Sequence, residues 1–324
     1  MEQLYTVVCH GQPDYTQCIP LVKAATFAPS YLLLLTTLCA LLNHYTFSPR
    51  HLSKIYGAKY VSLTRKEQRR VGSLHVGLVM KTFAFIFMGT PAYLHTVGGY
   101  TWSDPAWIPG PTLGDMCTVS VMAFGALGIF DLIYDEHLGL VYLVHHMAML
   151  ACIPGFFAAL MTLPLPLSPA SLVRLGVYCQ VSLTWVLFSS LGSSIAHLTY
   201  LLHQFRPKGP KGFRQIHKAF LAGFVAFTIL LSFEAGAMAY SILRFWNQLP
   251  TATPLLLCLL QVLFTATKLK TARNIWTVYR RQVHALRAQV QRELTPPPTI
   301  GSEDEKICAS FIMAEKQGFL GLEL

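Results

Sequence analysis

An all-α, multispanning transmembrane helical bundle is predicted by three observations. Of 324 residues, 53% are hydrophobic and only 12% are charged. The mean hydropathy is +0.45. The apolar residues gather in runs of bilayer-spanning length, roughly 20 residues each. Seven such runs are read, at about 28–47, 75–98, 114–134, 140–163, 176–203, 218–243 and 251–271. Runs such as Leu32-Leu33-Leu34-Leu35 are apolar on every side, whereas the strands of a membrane barrel alternate polar and apolar residues.

Residues 1–27 precede the first run and carry Gly11, Pro13 and Asp14, without the basic start, apolar core and small-residue exit of a cleaved signal peptide. They read as a lumenal N-terminal segment, in which Cys9 and Cys18 share the oxidising side and are candidates for a disulfide. The first and second runs are separated by a basic segment, 48–73, holding Arg50, Lys54, Lys59, Arg65, Lys66, Arg69 and Arg70. Between the second and third runs, 99–113 has no Lys or Arg, and Tyr100, Trp102 and Trp107 there read as an interfacial aromatic belt. The third and fourth runs are joined by the short polar break Asp135-Glu136-His137-Leu138-Gly139, so they are antiparallel neighbours. After the fifth run, 204–218 is again basic, with Arg206, Lys208, Lys211, Arg214 and Lys218, whereas 164–175 and 244–250 hold only Arg174 and Arg244.

A third basic group runs from Lys268 through Arg292. With seven spans all three basic segments fall on one side, which predicts a lumenal or exterior N-terminus and a cytosolic C-terminus. The net charge of +10 therefore reports topology, and no nucleic-acid partner is expected. The chain divides into 1–27, a membrane domain over 28–275, and a cytosolic part, 276–324. In that last part a basic helical stretch gives way at Pro296-Pro297-Pro298 to a disordered acidic tail.

Ionisable residues inside apolar runs are functional-site candidates by default. Phe130-Asp131-Leu132 ends the third run, and Leu143-Val144-His145-His146-Met147 lies early in the fourth, so the short break brings Asp131 and the histidine pair to one depth. Successive helical residues differ by about 100°, so His145 and His146 point different ways. A histidine beside a carboxylate has the parts of a general base or of an acyl-accepting nucleophile, with Asp131 setting the tautomer. The same spacing also suits a structural hydrogen bond between helices, worth on average about 0.6 kcal/mol. Neither HxxHH nor HExxH occurs, so no metal site is expected.

The stretch 114–275 resembles the TLC (TRAM/LAG/CLN-homology) domain. The resemblance is carried by Gly128-Ile129-Phe130-Asp131, by Leu143-Val144-His145-His146-Met147-Ala148-Met149 and by Cys152-Ile153-Pro154. It is closer to the smaller TLC-domain-containing proteins than to ceramide synthases proper, in which a second acid lies nearer the histidine pair; Asp135 and Glu136 do not reproduce that spacing. Ser190 stands where the family carries a glutamate, and Glu234 lies in the sixth run, where some relatives have an arginine. The resemblance implies lipid metabolism or homeostasis at an intracellular membrane, the endoplasmic reticulum first, with the Golgi or plasma membrane as alternatives. It implies membrane lipids, a sphingoid base and acyl-CoA as partners, acyl-CoA as co-substrate rather than bound cofactor, and homo- or hetero-oligomers as an option.

In the enzymatic version His145, His146 and Asp131 are catalytic, and Glu234, Ser190 and His197 contact substrate during N-acyl transfer to a sphingoid base. In the alternative, the same cavity binds or senses lipid without turnover. Glu234 is expected to face the bundle interior with His197, Lys81 or the Asp131–histidine cluster as its mate. A transporter or channel is disfavoured, because the few intramembrane polar residues gather near one face. Reporter tags inserted near Gly57 and near Gly110 are expected on opposite sides of the membrane; two cytosolic tags would overturn the proposed topology.

Overall fold

The computed structural model describes residues 15–100, 104–106, 110–134, 139–161, 169–205 and 210–294. Helix α1, Tyr15–Leu41, ends in a π-turn over Leu42–Thr46. Helix α2, Pro49–Tyr56, starts with proline in its first turn, where the missing N–H costs no intrahelical bond. Gly57, at φ 61°, turns the chain into the short α3, Ala58–Val61. Helix α4, Arg65–Thr96, opens on a reciprocal capping box: the Thr64 amide donates to the Glu67 carboxylate (2.7 Å) and the Glu67 amide to the Thr64 hydroxyl (3.3 Å). Thr112 and Asp115 start α5, Leu113–Tyr134, through the same exchange. Helices α6, Leu140–Met161, α7, Pro169–Gln204, α8, Pro210–Phe245, and α9, Ala252–Leu294, complete the order.

Six helices among the described residues are long and apolar enough to cross a bilayer: Phe27–Thr46, Arg65–Thr96, Leu113–Tyr134, Gln180–Gln204, Gln215–Phe245 and Ala252–His284. The remaining expected run is α6, whose described apolar stretch, Leu140–Ile153, is too short by itself to span. Several helices outrun their apolar segments. Helix α4 begins at Arg65 rather than near 75 because the cap at Thr64 sets its start. Helix α9 continues without a break to Leu294, so the basic stretch after 276 belongs to the same rod. Tyr100 is exposed, and its carbonyl accepts a hydrogen bond from His95 Nδ1 at 2.8 Å. Cys9, and with it the Cys9–Cys18 pairing, lies outside the described residues, as do Trp102, Trp107, Asp135, Glu136, His137 and the acidic tail.

The helices form a ring. Going round it, α5, α4, α7, α8, α9 and α6 each pack on the next, and α6 returns to α5; α1 packs against α5 beside the ring. Apolar clusters fill the seams. One joins α1, α4 and α5 around Cys39, Val76, Ala84, Ala126 and Phe130. Two more join α7, α8 and α9, around Ala196, Phe220 and Ile275 at one end and Val181, Met238 and Leu257 at the other. A fourth, with Leu52, Tyr60, Val71 and Leu201, ties α2 and α3 to α4 and α7.

Among the described side chains of α6, which end at Ile153, Ile153 packs against the first of these clusters. Ile153 rests on α5 at Gly125, where a Cβ would lie 2.8 Å from Ile153 Cδ1, and Met149 rests on Gly128, so the two helices approach closely where α5 has no side chains.

The α4–α5 seam depends on small residues and one buried hydrogen bond: Ser120, fully buried, donates to the Ala84 carbonyl at 2.7 Å. Ser120→Ala removes only that bond, an average loss of about 0.6 kcal/mol in membrane bundles. Ser120→Leu inserts volume into a closed seam, at a cost of about 1–3 kcal/mol. Thermal unfolding in detergent is expected to show a clearly larger fall for Ser120→Leu; equal stability of the two variants would contradict this packing.

Candidate functional site

The ring encloses a cavity of about 800 Å³ lined by α4, α5, α6, α7 and α9, with Phe227 from α8. Its wall changes character along the bundle. One end is polar and basic, with Lys66, Arg69 and Arg70 at the start of α4 and Gln204 at the end of α7. The middle carries Lys81, Asp131, His145, His146, His197 and Lys268. The far end is apolar, with Cys152, Ile153, Val181, Leu256 and Leu257. Along α9, at about 1.5 Å per residue, the distance from Lys268 to Thr253 at the far wall is roughly 22 Å. One leaflet of hydrocarbon is roughly 15 Å thick, so a long acyl chain fits beyond the ionisable middle.

Three polar links join different helices in that middle layer. His146 Nε2 lies 3.3 Å from Asp131 Oδ2, across the α5–α6 seam. The other ring nitrogen, Nδ1, is 2.7 Å from the Tyr142 carbonyl, which only accepts, so Nδ1 carries a proton. Nε2 faces the Asp131 carboxylate, whose negative charge suits an imidazolium there.

His145 turns the other way, with its ring perpendicular to that of His146 and the centroids 5.4 Å apart. The Thr267 hydroxyl donates to the Phe264 carbonyl (2.7 Å), so at its 3.3 Å contact with His145 Nδ1 the ring N–H is the donor. Neutral His145 therefore keeps its lone pair on Nε2. One turn earlier on α6, the Tyr142 hydroxyl meets Thr271 Oγ1 at 3.1 Å. Tyr142 and His145 thus pin the same end of α6 to α9.

The remaining links involve lysines. Lys268 Nζ ion-pairs with Glu234 of α8, which is 1% exposed, and also donates to Ser189 Oγ of α7 at 2.7 Å. Lys81, itself buried, donates to His197 Nε2 at 3.0 Å. His197 has room because residue 77 is glycine: a Cβ there would lie 2.7 Å from His197 Cε1. Deeper in the cavity Trp185 donates to Gln261 Oε1 at 2.7 Å and sets its ring edge-on to Phe264, 5.0 Å between centroids.

Asp131, His145, His146 and His197 all line the same cavity, Asp131 and His146 at the α5–α6 seam, His145 against α9 and His197 at the α4–α7 seam. Two expectations need correction. Glu234 lies inside the bundle, but its mate is Lys268, because α9 turns that residue inward rather than leaving it with the basic segment beyond the span. Ser190 is fully buried with its hydroxyl on the Val186 carbonyl at 2.5 Å, off the cavity wall; its neighbours Ser189 and Ser193 line the wall instead. A serine hydroxyl within a helix readily bonds the carbonyl four residues back, which removes it from other use.

Lys268, Thr267, Tyr142 and Trp185 went unread as site residues. A signal existed: Phe264, Thr267, Lys268 and Thr271 follow helical i, i+3, i+4, i+7 spacing, an inward stripe in an otherwise lipid-facing run.

Among the described residues no cluster of three or more His, Cys, Asp or Glu side chains suits a metal ion. The arrangement sets His146 against the Asp131 carboxylate, offers an imidazole lone pair at His145, and presents ammonium groups to an oxygen-bearing ligand. Comparison with protein-family models, with curated proteins and with solved structures finds no match to this chain.

Removing one partner of a buried ion pair leaves an uncompensated charge and costs about 3–5 kcal/mol. Glu234→Gln and Lys268→Met are each expected to reduce thermal stability and the monodisperse fraction in detergent by that mechanism. The double variant should recover part of the loss, and fully stable single variants would show that the pair does not hold α8 to α9.

Proposed function

We propose that this chain is a membrane protein of lipid metabolism that takes a long-chain acyl lipid into the cavity and transfers its acyl group from acyl-CoA to a sphingoid-base amine. One observation carries the reading: the His146–Asp131 pair stands on the wall of a cavity that is basic at one end and apolar at the other. In this mechanism the amine nitrogen attacks the thioester carbonyl. The C–N bond forms, the C–S bond breaks, and His145, whose Nε2 lone pair is free, takes the proton from nitrogen and returns it to the leaving thiolate. His146, held against Asp131 at 3.3 Å, positions the neighbouring turn of the same helix. The basic end of the cavity receives the phosphates of acyl-CoA. The same His145 lone pair is the alternative acyl acceptor.

Seven spans, with the basic end cytosolic and the endoplasmic reticulum as the site of action, complete this reading. Its support is the basic segments 48–73 and 204–218, and the basic stretch from Lys268 onward, which fall on one side of such an arrangement.

A second reading, lipid binding or sensing without turnover, is favoured by a specific observation. The polar groups of the wall are already joined across helices, His145 to Thr267, Tyr142 to Thr271 and Lys268 to Glu234, as a purely structural network would be. The purified protein in liposomes, supplied with acyl-CoA and sphingoid base, decides between them. The enzymatic reading expects amide formation that falls roughly 10²–10⁴-fold in His145→Ala, with His146→Ala and Asp131→Asn also impaired and all three variants still folded. Saturable lipid binding with no amide formed by wild type selects the second reading.

A further inference from the structure

In the ionisable middle of the cavity two lysines meet different partners. Lys268 ion-pairs with Glu234, and Asp131 lies against His146 at 3.3 Å. Lys81 is 7% exposed, lines the cavity, and has no carboxylate within ion-pair distance among the described residues. Its hydrogen-bond partner is the neutral acceptor His197 Nε2 at 3.0 Å, which occupies one of the three ammonium donors. The charged and titratable groups around it are His197 on α7, Asp131 on α5 and His145 on α6; Asp131 acts on it only by longer-range attraction. A buried ammonium with two unused donors, on the wall of a cavity of about 800 Å³, is a place for an anion.

We infer that Lys81 anchors the carboxylate of a long-chain fatty acid, whose chain runs past Trp185 into the apolar end of the cavity. One carboxylate matches the single charge of the Lys81 ammonium and takes up its two remaining donors. A phosphate monoester brings about −1.5 to −2 charges and over-neutralises the site, which is why a carboxylate is assigned in preference to a phosphate. The apolar reach of roughly 22 Å beyond the Lys268 layer accommodates the chain. The inference rests on the lipid-cavity reading but not on acyl transfer.

The test uses the full chain in phosphatidylcholine nanodiscs and saturation binding of radiolabelled palmitate, with hexadecanol and lysophosphatidate as chain-matched neutral and phosphate-headed probes. Palmitate is expected to bind saturably and more tightly than either probe. Lys81→Gln should weaken palmitate at least about tenfold while leaving hexadecanol unchanged, and Lys81→Arg should retain binding. Palmitate binding unchanged in Lys81→Gln, or hexadecanol binding as tightly as palmitate, overturns the anchor. Tighter, Lys81-dependent binding of lysophosphatidate overturns the carboxylate assignment.

A second measurement on wild type covers the case in which Lys81→Gln fails to fold. A palmitate analogue with a photoreactive group at its methyl end should label residues near 181–185 or 253–257, and labelling confined to the outer faces of α1 or α8 overturns the proposed seat. Lys81-dependent palmitate binding without amide formation would defeat acyl transfer alone, whereas amide formation together with palmitate binding unchanged in Lys81→Gln would defeat this inference alone.

Discussion

Hydrocarbon offers an ionisable side chain no water, so every such group within the membrane helices must be answered by another side chain or by a cavity. The bundle meets this constraint at one level. Glu234 and Lys268 join α8 to α9, His146 and Asp131 join α6 to α5, and Lys81 and His197 join α4 to α7. Each link crosses a seam between helices neighbouring in the ring, so the register of one helix against the next is tied to the register of its polar residues. Sliding any of these helices by a single turn would strand a charge in an apolar seam, at a cost well above the average interhelical hydrogen bond of about 0.6 kcal/mol.

The links do not act alone, and the seams differ. Between α4 and α5, and among α7, α8 and α9, buried apolar clusters accompany the polar contacts and fill the space. Among its described side chains, helix α6 is held by the His146–Asp131, His145–Thr267 and Tyr142–Thr271 contacts near one end, and by Ile153 against Gly125 farther along. Polar contacts with defined lengths hold helices at set distances, whereas apolar side chains draw them together until no void remains. The helix that carries the histidine pair thus faces the cavity through polar contacts at one end and apolar ones farther along.

That arrangement gives the cavity its chemical gradient. The basic residues Arg69 and Arg70 lie at the head of α4, the His146–Asp131 contact lies deeper, and the apolar far end is bounded by Leu256, Leu257 and Val181. An amphiphile entering with its chain toward the far end brings its head group to the ionisable layer without desolvating a charge in lipid. Trp185, held by Gln261 and set against Phe264, stands between the ionisable layer and the far end, so its rotamer sets the bore of the cavity there.

Much of this was legible in the residues alone, for physical reasons. Apolar runs of bilayer length demand helices, because only a helix satisfies its backbone hydrogen bonds within one segment. The short break at 135–139 requires adjacent antiparallel helices, which by itself puts Asp131 and the histidine pair at one depth. The 100° step between neighbours in a helix already requires that His145 and His146 face different partners, and they do, Thr267 and Asp131. Rotation about each helix axis was not legible. Lys268 reads as the first residue of a basic flank, yet α9 turns it inward to Glu234; Ser190 reads as a wall residue, yet Ser189 and Ser193 occupy the wall. Sequence spacing determines where along a helix a side chain sits; which neighbour it meets is decided only when all the helices pack, because that packing sets the rotation of each.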